Sequence, residues 1–334
     1  MLSTSKPQIP VQPTANSFLD VMVDGIEFES LCKYQYENVN IPNEVRLSIK
    51  EVEDARGKRA ICYFANLFSP FNSIDEADDL PFTEMVNAIP SDIREIDVLL
   101  VTPGGSGAQA ANFVSTLRKR FDIVNFIVID KAMSAGTILI MSGDEIVMSK
   151  ESKFGPIDPQ IPSRDGRYVP AQSILRTIYD IQSRGAAKLK NGEQPNWTDI
   201  QILRNISATE IGSALSSSQY SIDLVKKYLH DFKFRNWTIH SSSGFPVTDA
   251  ERKQRAVEIA TDLCNHQKWN SHSYAISRDE AQNVCRLKIT NTESIQGLER
   301  AVRRLRALLC WMGHKNTSGK IFASQEYFII NNRR

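Results

Sequence analysis

Residues able to carry out acyl chemistry crowd into one stretch of this 334-residue chain. Thr102-Pro103-Gly104-Gly105-Ser106-Gly107 follows one apolar run, Ala132-Met133-Ser134-Ala135-Gly136 follows another, and Asp158 lies between Pro156 and Pro159. A hydroxyl at the first turn of a helix sits in positive potential. The amide of the next residue points the same way, and a second amide from a glycine turn would complete an oxyanion hole. On that reading Ser134 attacks a carbonyl carbon while Ala135 and Gly104 or Gly105 hold its oxygen. Taken alone, Ser134 is better explained as a helix N-cap, and the rival hydroxyl of Ser106 as turn chemistry. The same glycines, as Gly105-x-Gly107-x-x-Ala110 with Asp130 ending the next apolar run, also approximate a dinucleotide fingerprint. A tight strand-to-helix turn accounts for them more simply.

These groups need a scaffold, and the pattern supplies one. Arg59 to Ala65 reads as a first core strand, and Ile96 to Val101, Val124 to Ile129 and Glu145 to Met148 as three more. Helices are predicted over Leu80 to Ile89, introduced by a capping box at Ser73-x-x-Glu76, over Ala108 to Arg120, and over Ser134 to Ser142. Strands alternating with helices imply a mainly parallel sheet with right-handed crossovers, and ligands then belong at the carboxyl ends of its strands. Beyond Gln160 the chain turns helical, over about 171–190, 199–230, 249–266 and 277–284, then over Ser294 to Met312 with Gly313 as the stop; Glu326 to Ile330 adds a late strand. The proline-rich residues 1–16 read as a flexible arm, 17–190 as the core that carries the site, and 191–334 as a mainly helical extension that completes the core and serves assembly.

Composition excludes several classes. Forty Lys plus Arg against 39 Asp plus Glu leave a net charge of +1, too little for a dedicated nucleic-acid binder. Five scattered cysteines with no C-x-x-C pair read as buried thiols of a reducing compartment. No apolar run is long enough to span a bilayer and no signal peptide is evident, so a cytoplasmic protein is expected. Arg300, Arg303, Arg304 and Arg306 make a basic amphipathic helix, read as a solvated face or an oligomer contact. Trp197, Trp237, Trp269 and Trp311 are expected as core or interface anchors.

Four segments in order, Thr102 to Gly105, Ala132 to Thr137, Asp144 to Met148 and Phe154 to Gln160, resemble the serine dehydrogenase proteinase family, Clp-fold serine peptidases related to signal peptide peptidase A. The resemblance implies a Clp/crotonase-like α/β fold of stacked ββα units, here with an added C-terminal helical region, and assembly into a homo-oligomer. It also implies a serine nucleophile matched by Ser134, and an oxyanion hole matched by Ala135 and the Gly104-Gly105 turn. No cofactor or metal is implied, and the partner is a peptide or protein substrate; whether an ATPase feeds the site is left open.

The base departs from the Clp pattern, because no histidine lies between Ser134 and His230. Peptidase-A-like relatives use a lysine whose desolvation lowers its pKa. Lys188 shares a helix face with Ile174, Ile178 and Ile181, and is the first candidate; Lys226, beside Leu215, Ile222 and Leu229, is the second. Asp158 is a candidate to orient the base, though its position between prolines equally suits a turn. His272, in Trp269-x-x-His272, resembles a recurring family feature and is expected to pack or hydrogen-bond. The expected activity is a serine endopeptidase with a Ser-Lys dyad. Two alternatives stand beside it: an inactive scaffold or regulatory subunit on the same fold, and an acyl-CoA enzyme using the same oxyanion turn.

Overall fold

The computed structural model describes residues 12–163, 166–240, 243–315 and 319–331. Its centre is one nine-stranded sheet. In chain order the strands are β1 (Arg59–Ala65), β2 (Glu95–Thr102), β3 (Ile123–Ala132), β4 (Glu145–Met148), β5 (Lys153–Phe154), β6 (Ile276–Ser277), β7 (Thr290–Asn291), β8 (Lys320–Ala323) and β9 (Phe328–Asn331). Across the sheet they run β6-β5-β3-β2-β1-β8-β9, with β4 on β3 and β7 on β4. The helices used below are α1 (Ile41–Arg56), α2 (Asp79–Asn87), α3 (Gly107–Arg120), α4 (Ala135–Met141), α5 (Ala171–Lys190), α6 (Trp197–Asn205), α7 (Ala208–Tyr228), α8 (Asp249–Cys264), α9 (His266–Trp269) and α10 (Leu298–Lys315).

The parallel unit expected from sequence is present: β1, β2, β3 and β4 pair in parallel, with α2, α3 and α4 as crossovers. Period-two alternation sorts each strand between two cores. Ile61, Tyr63, Val98, Leu100, Phe126 and Val128 face α2, α3, α4, α7 and α8. Ala60, Cys62, Leu99, Val101, Ile127 and Ile129 face α1 and α10. Burial on both faces explains why the strands read as unbroken apolar runs rather than alternating ones.

β3 is ten residues long and serves two partners along one edge. Asn125 to Val128 pair with β4, while Lys131 and Ala132 pair with β5, which in turn pairs antiparallel with β6. The region after residue 190 therefore contributes β6, β7, β8 and β9 to the same sheet, and β8 lies antiparallel on β1. Thr14–Ala15, within the expected N-terminal arm, pair in parallel with Gln35–Tyr36, while residues 1–11 lie outside the described part.

Local expectations need three corrections. The cap before α2 is Asp75, whose box closes on Asp78, not Ser73 with Glu76. The helix expected over 199–230 is two, because Ser207 and Glu210 form a capping box that starts α7 afresh. Gly313 does not stop the last helix, which continues to Lys315. A Cβ there would lie 2.8 Å from Asn66 Oδ1, and the Gly313 carbonyl accepts from Asn66 Nδ2 at 3.1 Å, so this glycine permits a close approach.

The basic stripe on α10 is neutralised within the chain: Arg300 pairs with Asp24, Arg303 with Glu27, Arg304 with Glu51 and Arg306 with Asp130. The last pair occupies the carboxylate that a dinucleotide reading would reserve for a ribose. Among the described residues, no helix is long and apolar enough to cross a membrane.

Candidate active site

The site lies where β2 and β3 end side by side. Thr102 and Ala132 are register partners, and the Met133 N–H donates to the Thr102 carbonyl at 3.0 Å. The next residue, Ser134, adopts φ 51° and ψ −113°, a left-handed conformation that costs a non-glycine residue about 1–3 kcal/mol. That sharp turn lifts the half-buried serine to the head of α4. Although Ser134 stands at the N-cap position, its hydroxyl makes no capping hydrogen bond, so the cap reading does not account for it. Three small residues make the turn possible: a Cβ on Gly136 would strike the Thr102 methyl at 2.5 Å, one on Gly155 would strike Met133, and one on Gly104 would lie 2.7 Å from Ser134 Cβ.

The glycine turn is pinned from its far side. Ile74 donates its N–H to the Gly104 carbonyl and accepts from the Ser106 N–H, both at 2.8 Å, forming a parallel bridge to Gly105. In that arrangement the N–H and C=O of Gly105 face away from Ile74, toward the β3 side where Ser134 lies. The Gly104 N–H is taken by Thr102 Oγ1 at 3.1 Å. Ser106 caps α3 by accepting from the Gln109 N–H at 3.2 Å, which is the turn role expected of it. At the head of α4 the amides of Gly136, Thr137 and Ile138 all find carbonyls. Among the described residues, the N–H groups of Ala135 and Gly105 find no acceptor, one on each of the two turns that meet where Gly104 packs on Ser134. Gly105 differs in this from Gly104, whose N–H is taken by Thr102.

Gly155 joins the third segment to this turn. Its N–H donates to Thr137 Oγ1 at 3.1 Å, and its added Cβ would stand 3.5 Å from the Ser134 nitrogen. Three residues on, Asp158 has no exposed surface and accepts two hydrogen bonds, from His266 Nδ1 at 3.1 Å and His272 Nδ1 at 3.0 Å. A carboxylate can only accept, so both Nδ1 atoms carry a proton, and a ring in its neutral form then has its lone pair on Nε2. Burial pushes the neighbouring Cys264 thiol up to about 12, with the charge of Asp158 adding to the shift.

Strand register says why His272 arrives here. β5 and β6 pair Phe154 with Ile276, and Phe154 pairs with Ala132 of β3. Continuing that antiparallel register four residues brings Asp158 opposite His272, where the two are hydrogen-bonded. The serine, the carboxylate and this histidine thus stand on three adjacent strand extensions at one edge. His272 was expected to pack or hydrogen-bond, and it does the latter; His266 carried no signal beyond its position six residues before it.

The lysines lie elsewhere in their contacts. Lys188, on the last turn of α5, is 35% exposed and faces Glu193 at 3.7 Å. Lys226 of α7 is paired with Asp223. Among the described residues neither contacts Ser134. The lysine whose pKa falls furthest is Lys233, to about 8 through burial, but it reaches the Asp144 carbonyl at the opposite, amino end of the strands. Among the described residues, no cluster of ligand-type side chains fits a metal ion.

Known proteins resemble this chain at three levels: sequence, solved structure and family. Two uncharacterized proteins of Methanocaldococcus jannaschii are each 26% identical to this chain. One match spans 229 residues, 64% of this chain and 71% of that protein; the other spans 199 residues, 58% and 62%. Two solved structures of a membrane-bound stomatin-specific protease, one holding a substrate peptide, align over 65% of this chain and 70% and 74% of theirs, with TM-scores of 0.39 and 0.38 at 15% and 13% identity. The model of the ClpP-like SDH-type serine proteinases matches residues 56–266, from the start of the sheet through the glycine turn, Ser134 and Asp158 to His266. With more than half of its residues in that match, the chain belongs to the ClpP-like serine proteinases of the SDH type and has their α/β fold.

Proposed function

We propose that this protein is a serine endopeptidase in which Ser134 is the nucleophile, His272 the general base and Asp158 the group that orients it. The observation that carries the reading is the fully buried Asp158 carboxylate bonded to His272 Nδ1, because it keeps Nε2 as the nitrogen able to accept a proton on the edge where Ser134 is presented. Ser134 Oγ attacks the peptide carbonyl carbon as its proton passes to His272 Nε2. The oxyanion is held by the N–H groups of Ala135 and Gly105. Collapse breaks the C–N bond, and His272 returns the proton to the leaving amine. Water, deprotonated by the same nitrogen, then releases the acyl group from Ser134. The lysine base expected from sequence has less support, since the half-buried Lys188 faces the carboxylate of Glu193.

A homo-oligomer is part of the same proposal. Tyr179, Leu189 and Trp197 of α5 and α6 are 70%, 63% and 71% exposed, large apolar side chains that a second copy would cover. Sedimentation of the native chain against a Tyr179→Glu, Trp197→Glu variant tests it.

The chemistry is tested by intact-mass labelling with a fluorophosphonate. One adduct that disappears in Ser134→Ala, falls at least about 100-fold in rate in His272→Ala and persists in Lys188→Ala is expected. Loss of labelling in Lys188→Ala with retention in His272→Ala would transfer the base to the lysine. No adduct on native protein would favour the scaffold alternative.

A further inference from the structure

Asp158 holds two imidazoles, and the mechanism above uses one. We infer that His266 is a positioning residue for the orienting carboxylate: its Nδ1–H fixes Oδ2 of Asp158 so that Oδ1 stays on His272. The inference rests on the assignment of His272 as the base.

An aspartate carboxyl turns easily, since the torsion about its last bond has a broad profile. With no exposed surface, Asp158 has no solvent to occupy a second oxygen. A buried carboxylate with one donor would tilt to share that donor between its oxygens, turning the His272 ring with it. His266 prevents this by giving Oδ2 its own donor at 3.1 Å. The geometry behind His266 is stiff. Asn265 caps α9 by accepting from the Gln267 and Lys268 amides, Trp269 Nε1 donates to the Asp262 carbonyl at 2.8 Å, and the Ile157 N–H donates to the Leu263 carbonyl at 2.9 Å. The last bond ties the end of α8 to the residue beside Asp158, so the carboxylate and the histidine that holds it move as one body. His272, by contrast, sits in the loop leading to β6, where among the described residues its ring makes one hydrogen bond, to Asp158.

The test is the rate of fluorophosphonate labelling of the full chain, resolved into kinact and KI, for His266→Leu, His266→Asn and His266→Gln, beside Ser134→Ala and His272→Ala. Leucine fills the space without a donor and should lower kinact roughly 10- to 100-fold with KI unchanged. The asparagine amide stands where the Nδ1–H stood and should restore most of the rate; the glutamine amide reaches an atom too far and should not. A His266→Leu variant with wild-type kinact overturns the inference, as does a change confined to KI. Should the leucine variant not fold, the asparagine-glutamine contrast decides, and equal rates for those two overturn it. Labelling that survives Ser134→Ala or His272→Ala removes the base assignment and this inference with it. Loss in both of those variants with no effect at His266 removes the inference alone.

Discussion

Adding one methyl group at Gly104 should separate catalysis from folding. Gly104 has φ +103°, and a Cβ built there lies 2.7 Å from both Ser134 Cβ and the Met133 carbonyl oxygen, and 3.2 Å from the Ala135 nitrogen. Ordinary van der Waals contact begins near 3.4 Å, so the serine turn would have to retreat by roughly 0.7 Å. The same turn carries a proposed oxyanion donor, and such constellations tolerate about 0.5 Å. Loss of one oxyanion donor costs about 100- to 1,000-fold in kcat. We therefore expect Gly104→Ala to label with fluorophosphonate at least about 100-fold more slowly. Its backbone strain should also remove about 1–3 kcal/mol of stability in urea unfolding. Gly57→Ala is the control: its φ of +65° carries similar strain, but nothing lies within 4 Å of the added Cβ. It should lose about 1–2 kcal/mol and keep the wild-type labelling rate. Should Gly104→Ala label within about twofold of wild type while losing stability, the turn does not position the reacting groups and the site is misassigned.

Replacing Ser134 by glycine abolishes labelling but relieves a left-handed backbone at φ 51°, so Ser134→Gly should be about 1 kcal/mol more stable than Ser134→Ala in urea unfolding. Lys320 of β8 is 3% exposed and pairs with the fully buried Asp78 at 2.7 Å, so Lys320→Met should cost about 3–5 kcal/mol and loosen the β8–β9 edge in hydrogen exchange. His230 bonds Asp249 and Asp231, and these carboxylates raise its pKa above the ordinary 6.5. A raised folded-state pKa contributes stability that is complete below 6.5 and disappears as pH rises through the higher folded value, so urea midpoints should decline across that window in wild type and be flat in His230→Gln.

Much of the scaffold is legible in the chain because it is local. The strands over 95–102, 123–132 and 145–148, the helices over 107–120 and 171–190, and the turn that presents Ser134 follow from periodicity, small residues and caps within a few positions of one another. The two-faced burial of β1 to β3 follows as well, since only a sheet covered on both sides needs such uninterrupted apolar strands. What missed was of the same local kind: Gly313 carries the signature of a helix stop and serves instead as clearance for Asn66, a residue 247 positions away.

The site divides along the same line. The turn that carries Ser134, the Ala135 amide beside it and the glycine turn could be read from two short segments, because a serine at a helix head and the amides next to it are set by adjacent backbone. The partner of Asp158 could not. His266 and His272 lie 108 and 114 residues from it, and nothing in a histidine's neighbours in sequence records which carboxylate it will meet. The meeting with His272 depends on β6 adding antiparallel to β5, a pairing of two residues with two, too short to stand out as a pattern, and that with His266 on one bond from Ile157 to the end of α8. Lysines on amphipathic helices offered the stronger local signal, yet helical phase reports only which face a side chain shares, and the charge opposite that face is chosen by packing. The sequence alone therefore determined the turn that carries Ser134 and the parallel sheet beneath it, whereas the tertiary structure decided which histidines meet Asp158, since short strands and buried carboxylates take their partners from whatever the closed sheet brings within hydrogen-bonding distance.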